Sequence, residues 1–200
     1  MILADVSRET NDRLGIYAAL VEKWNPRINL VSRASVPHLA SRHIADSAQV
    51  HALAPRSVAH WADLGSGGGF PGLVIAILAQ ETGSPVRVTL VESDARKCAF
   101  LRTVIRETGV AATVLTERIE SVAPLEAEVL SARALADLPA LLAHAERHLA
   151  PGGTALFPKG ATWRKEVAEA QSKWHFDLQV DTSRTEPDAV ILRITGVSRA

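Results

Sequence analysis

The chain has 200 residues, 47% of them apolar, and its 22 basic residues are matched by 22 acidic ones. That length can bury one ordinary core, and the zero formal net charge excludes a protein that grips polyanions over its whole surface. A single cysteine, Cys98, excludes an internal disulfide or a cysteine zinc cluster; the longest apolar run, around Phe70 to Ala79, is too short to span a membrane, and Met1-Ile2-Leu3-Ala4-Asp5 has neither the basic start nor the apolar length of a secretion signal.

In chain order, Leu14, Tyr17, Val21 and Trp24 recur at helical spacing, and Asn25-Pro26 is expected to stop that helix. A second helix is predicted from about Val36 to Ala54, ending at Pro55. Strands and helices then alternate: a strand near Trp61, a helix from Pro71, a strand from Val86 to Val91, a helix from Asp94 to Thr108 closed by Gly109, and a strand from Thr113 to Thr116. The series continues with a strand from Val129 to Ala132, a helix from Leu138 to Leu149 and a strand from Thr154 to Phe157, with Leu149-Ala150-Pro151-Gly152-Gly153 read as the turn before that strand. After a helix at about Thr162 to Trp174, the strand-like runs Phe176 to Val180 and Ala189 to Thr195 predict a terminal hairpin, which places one antiparallel strand in an otherwise parallel sheet. The expected organisation is a single domain, 1–200, with a helical extension over 1–56 and an α/β core over 57–200.

Charge is unevenly spread. Between Lys23 and Arg56 stand Lys23, Arg27, Arg33, Arg42 and Arg56 against one acid, Asp46, with His38, His43 and His51 added. Such a stretch can meet phosphates, although a solvated face would have the same composition.

Asp63-Leu64-Gly65-Ser66-Gly67-Gly68-Gly69-Phe70-Pro71-Gly72 follows a short apolar run and opens an apolar helix. Glycine lets the backbone turn tightly and come close to a ligand, and the helix start leaves unpaired N–H groups facing the crevice. A dinucleotide fingerprint would need glycine where Phe70 stands. The spacing instead resembles the first motif of the Rossmann-like, class I S-adenosylmethionine-dependent methyltransferases. That resemblance implies a seven-stranded, mostly parallel sheet with an antiparallel C-terminal strand and S-adenosylmethionine as cofactor. Glu92 ends the second strand, where a carboxylate can accept both ribose hydroxyls; it could instead simply begin the next helix, with Ser93 or Asp94 as cap.

Signatures of several methylation chemistries are missing. After the fourth strand the chain reads Leu130-Ser131-Ala132-Arg133-Ala134, without the Asn or Asp followed by Pro-Pro that serves exocyclic amines. Cys98 lies within a helix, at a position suited to packing and not to attack on a pyrimidine. Guanine N7 carries an in-plane lone pair and no proton, so it can attack a sulfonium methyl in line without a general base. Other proton-free acceptors would fit equally.

Lys23-Trp24-Asn25 with Asn29-Leu30, Arg42-His43-Ile44 with Asp46-Ser47, Asp63 to Gly72, Phe100-Leu101-Arg102, Ser131 with Arg133-Ala134, and Lys159-Gly160 occur in the order found in the RsmG (glucose-inhibited division protein B) family. The chain resembles that family over nearly its full length. The resemblance implies transfer of a methyl group to N7 of guanine 527 in 16S rRNA, with the small ribosomal subunit or its precursor as partner. It implies cofactor contacts at Gly65, Gly67, Phe70, Glu92, Ile119, Glu120 and Arg133, no catalytic base and no metal, and RNA contacts at Arg42, His43 and Lys159, with Arg96 and Lys97 as further candidates. His43 could instead be a hydrogen-bonded helix residue packing with Asp46, Arg133 the partner of a local carboxylate, and the four tryptophans core or interface residues. Relative to that family the leader before the first helix is short, and Glu92 replaces an aspartate common among relatives. A cytoplasmic monomer is expected. A small-molecule methyltransferase on the same fold and a non-catalytic RNA-binding assembly protein are the alternatives.

Overall fold

A computed structural model describes residues 2–200; Met1, the first residue of the stretch read for a secretion signal, lies outside them. The first helix, α1 (Arg8–Ile28), is capped by Ser7, whose side chain accepts from the Thr10 N–H at 3.1 Å. Pro26 does not stop it. In the last turn a proline forfeits a single helical bond, and the stop comes three residues later, where Asn29 turns left-handed and the Asn25 side chain accepts from the N–H groups of Leu30 and Val31 at 2.7 and 2.9 Å.

The helix expected over 36–54 is three pieces: a 3-10 turn (Arg33–His38), a π-helical turn (Leu39–Ile44) and α2 (Ala45–Ala52). Pro37 sits in the first piece and lacks the N–H that would continue an α-helix, and the Ala45 N–H reaches back to the Ala40 carbonyl in the wide π pattern.

The core begins with β1 (His60–Leu64), buried at every position, and α3 (Gly72–Thr82). It continues through β2 (Arg87–Val91), α4 (Ala95–Thr108), β3 (Thr113–Leu115), a 3-10 turn (Ile119–Ser121) and β4 (Ala127–Ser131). It ends with α5 (Leu138–His148), β5 (Leu149–Lys159), α6 (Trp163–Gln171), β6 (Trp174–Thr182) and β7 (Val190–Arg199). The turn expected over Leu149-Ala150-Pro151-Gly152-Gly153 is instead an irregularity inside a longer β5: Ala127 pairs with Leu149 and Val129 with Thr154, so the intervening residues bulge out of the ladder.

The seven described strands order as β3-β2-β1-β4-β5-β7-β6, and β7 runs opposite to the other six. Strand order reverses at β1, whose next strand in sequence, β2, lies on one side while β4 lies on the other. The crevice beyond the carboxyl ends of β1 and β4 is therefore the natural ligand site. One core layer joins Leu14, Tyr17 and Val21 of α1 to Leu73 and Ile77 of α3 and to Phe100, Leu101 and Val104 of α4. The other packs Leu141 and Leu142 of α5 and Val167 and Ala170 of α6 on the opposite face of the sheet. The N-terminal helices thus share the core of the sheet and wall one side of its crevice. No described helix is long and apolar enough to cross a membrane.

Candidate cofactor and acceptor site

The loop after β1 is drawn tight by its own hydrogen bonds. Ser66 Oγ donates to the Asp63 carbonyl at 3.0 Å, the Ser66 N–H donates to the Val91 carbonyl at 3.0 Å, and Tyr17 Oη, from α1, donates to the Gly68 carbonyl at 2.6 Å. Gly65 has φ +63°, and a Cβ there would lie 2.6 Å from Leu135 Cδ1. The position thus needs glycine both for its conformation and for its close approach to the opposite wall. At Gly72 the constraint is purely steric, since a Cβ would meet Leu90 Cδ2 at 2.4 Å and Asp63 Oδ2 at 2.7 Å.

Asp63 anchors this arrangement from below. Trp61 Nε1 donates to Ser131 Oγ at 2.9 Å, and that hydroxyl donates to Asp63 Oδ1 at 2.7 Å, so β1 and β4 are tied together at the switch point. Complete burial pushes the Asp63 carboxyl up to about 6, against the opposing pull of the Ser131 and Ser66 hydroxyls.

Two clefts open above this floor. The first, about 590 Å³, is lined by Gly65, Gly67, Phe70, Glu92, Ile119, Glu120 and Arg133, so all seven residues assigned to the cofactor stand around one cavity. Glu92 is buried at the end of β2; Oε2 accepts from the Gly67 N–H at 2.9 Å and Oε1 from the Asp94 N–H at 2.8 Å. Helix capping falls to Asp94, which accepts from the N–H groups of Arg96 and Lys97. Glu92 is therefore left facing the cleft with a lone pair free on each oxygen. Cys98 is buried behind it and donates to the Glu92 carbonyl at 3.1 Å, the packing role read for it. Leu135 is a wall of this cleft that no sequence signal marked.

The second cleft, about 750 Å³, is lined by Arg42, His43 and Lys159 and shares Leu30, Arg133, Ala134 and Ala136 with the first. Arg133, just past β4, stands at the junction. Its guanidinium lies 5.1 Å from the centre of the Phe70 ring, and Nη1 is 3.5 Å from Asp46 Oδ2. The two readings of Arg133 thus coexist, as ion pair and as cleft wall. Burial raises the Asp46 carboxyl, with Arg133 opposing the shift. Asp46 is the ion-pair partner of Arg133, a role not assigned to it from the sequence, where it stands as the lone acid of a basic stretch.

The RNA candidates divide. Arg42 pairs with Glu186, both about half exposed. Lys159 is nearly buried, its Nζ donating to the Ala136 carbonyl and to Glu166 Oε2, each at 2.7 Å, so its charge is already committed inside the protein. His43 is not the hydrogen-bonded helix residue that was the alternative. Its ring packs 5.1 Å from the Phe70 ring with both nitrogens unpartnered, and burial, reinforced by Arg133 and Arg42, lowers it to about 4, so it is neutral near pH 7. Arg96 pairs with its own cap, Asp94, while Lys97 lines the first cleft. Trp61 and Trp174 are buried; Trp24 packs edge-on against Phe100 and Trp163 lies under Arg164.

The model of one family, rRNA small subunit methyltransferase G, matches residues 10–190. The chain belongs to the rRNA small subunit methyltransferase G family. Ribosomal RNA small subunit methyltransferase G of Ruegeria pomeroyi is 59% identical over 195 residues, covering 98% of this chain and 95% of the relative. Among solved structures, a methyltransferase from Geobacter sulfurreducens matches with a TM-score of 0.61 at 13% identity, over 96% of this chain and 90% of that one. TYW2 of M. jannaschii, solved in complex with AdoMet, matches with a TM-score of 0.56 at 11% identity, over 86% and 78%. The fold is that of the class I S-adenosylmethionine-dependent methyltransferases, as the glycine loop led us to expect, and the family is one of rRNA methylation. In this member of the family, the cleft around the glycine loop and the cleft beside the N-terminal helices meet at one arginine.

Proposed function

We propose that the protein holds S-adenosylmethionine in the first cleft and transfers its methyl group to N7 of a guanine of 16S rRNA, guanine 527 by family resemblance, entering through the second cleft of a small subunit or its precursor in the cytoplasm. The residues present fit the cofactor: a Cβ at Gly65 would collide with Leu135 across the cradle, and the Glu92 carboxylate is buried, held by two backbone N–H groups, and still able to accept hydroxyls. When bound, S-adenosylmethionine supplies an electrophilic methyl on a sulfonium. Arg133, seated over the buried Phe70 ring, lines both clefts and stands where its guanidinium can position an incoming base beside the cofactor. An acceptor N7 would bring its own lone pair and have no proton to lose, so what it would need from this chain is alignment beside the cofactor, the part Arg133 and Phe70 would play.

The observation that carries this reading is the state of the acids in the acceptor cleft. Asp46 is paired with Arg133, Glu166 with Lys159 and Glu186 with Arg42, so each carboxylate lining that cleft is neutralised by a cation. The two less exposed carboxylates are held in ion pairs with buried cations, and His43, the unpartnered imidazole of the cleft, is a weak base at about 4, so the cleft offers no strong base to take a proton, which suits an acceptor that has none to lose. The test is incubation with labelled S-adenosylmethionine and small subunits lacking the modification, followed by borohydride and aniline treatment, which breaks RNA at N7-methylguanine. Label together with cleavage at one guanine is expected; label without cleavage would mean another acceptor atom.

A further inference from the structure

The loop joining β6 to β7 forms one rim of the acceptor cleft and is strapped to the N-terminal segment across it. The Arg184 N–H donates to Gln49 Oε1 at 2.7 Å, and Thr185 Oγ1 donates to Asp46 Oδ1 at 3.3 Å. At the open end of this strap, Nε and Nη2 of Arg42 converge on Oε1 of Glu186. That last pair differs from the others. It is half exposed, both partners line the cleft, and among the described residues Arg42 has no other partner, whereas Arg133 and Lys159, the cleft's other arginine and its lysine, are spent on Asp46 and Glu166. Arg42 is thus the cation of this cleft that an incoming anion can capture.

A guanidinium recognises carboxylate and phosphate oxygens with the same planar donor set, and an ion pair this exposed contributes little stability. We propose that Glu186 occupies on Arg42 the place of an RNA backbone phosphate. In the RNA-free protein this carboxylate holds the β6–β7 loop across the acceptor cleft, and the phosphate beside the acceptor nucleotide displaces it on binding. The proposal rests on reading the second cleft as the RNA entrance.

The experiment measures binding of unmethylated small subunits, and kcat/KM for methyl transfer to them, for the wild type, Glu186→Gln, Arg42→Ala and the double variant. Glu186→Gln is expected to tighten binding and raise kcat/KM about two- to five-fold, the range of an exposed ion pair. In the Arg42→Ala background the same substitution should give no gain. No gain in the single variant overturns the proposal. A gain that persists without Arg42 overturns it too, because it would reflect general repulsion between an acid and RNA. A wild type that methylates the subunits while Glu186→Gln changes nothing leaves the proposed function standing; a wild type that neither binds nor methylates them removes both.

Discussion

Gly65→Ala separates the two reasons for glycine at the head of the cofactor loop. The backbone there has φ +63°, and holding alanine in the left-handed region costs about 1–2 kcal/mol. For a chain of this size that is a fall in Tm of roughly 2–8 °C. The new Cβ would stand 2.6 Å from Leu135 Cδ1. An ordinary carbon contact is about 3.5–4.0 Å, so the leucine tip must retreat by about 1 Å, and part of the space open to it is the cleft it lines. Calorimetry with S-adenosylhomocysteine should therefore show binding at least about ten-fold weaker, equivalent to about 1.4 kcal/mol. In Gly65→Ala/Leu135→Ala the obstruction is gone while the backbone conformation is unchanged. Affinity should return to within about three-fold of Leu135→Ala alone, while the lowered Tm persists. Two results would refute the reasoning: wild-type affinity in Gly65→Ala, or a double variant that binds no better than Gly65→Ala.

Arg133→Ala should lower methyl transfer at least ten-fold while changing RNA binding little, and should also destabilise the fold, because it leaves the part-buried Asp46 unpaired; adding Asp46→Asn should restore Tm and not activity, and an unchanged transfer rate would remove Arg133 from the site. The native protein holds the Asp63 proton up to about pH 6 and the unfolded chain releases it near 4, so between those values the native state binds more protons and Asp63 makes stability fall as pH rises. Denaturant unfolding of Asp63→Asn should therefore gain about 3 kcal/mol relative to wild type between pH 4 and 7, since each pH unit between the two values is worth about 1.4 kcal/mol; parallel curves would show that the carboxyl is not perturbed. Lys159→Met strands Glu166 without its cation and should cost about 3 kcal/mol in stability, read as Tm, while leaving the salt dependence of RNA binding unaltered; a reduced salt slope would return Lys159 to the RNA surface.

Much of the fold was legible because its signals are local. The alternation of strands and helices, a cap at Ser93 or Asp94 and the Gly109 stop each follow from a few adjacent residues, and the glycine loop and Glu92 could be placed at one crevice because parallel β-α-β connectivity brings strand ends together, whereas Arg133, after β4, came only from the family resemblance. The misread boundaries lie where local signals compete. Pro26 reads as a stop, yet a proline in a last turn costs little beside the Asn25 side chain that caps the chain end; Pro37 sits inside the expected helix and, with the π turn after it, leaves α2 to start only at Ala45.

Partnership among charges was decided by tertiary structure alone. The sequence offered Arg42, His43 and Lys159 as cations for RNA. Packing neutralises His43 against Phe70 and Arg133, commits Lys159 to Glu166, and sets Arg42 against an acid from the far end of the chain. A charge's fate depends on burial and on which opposite charge the fold brings within reach, and neither leaves a mark in the residues beside it. The sequence by itself determined what this protein is built to hold, because tight backbone turns need glycine at particular positions; only the folded chain decided which of its charges remain free to act.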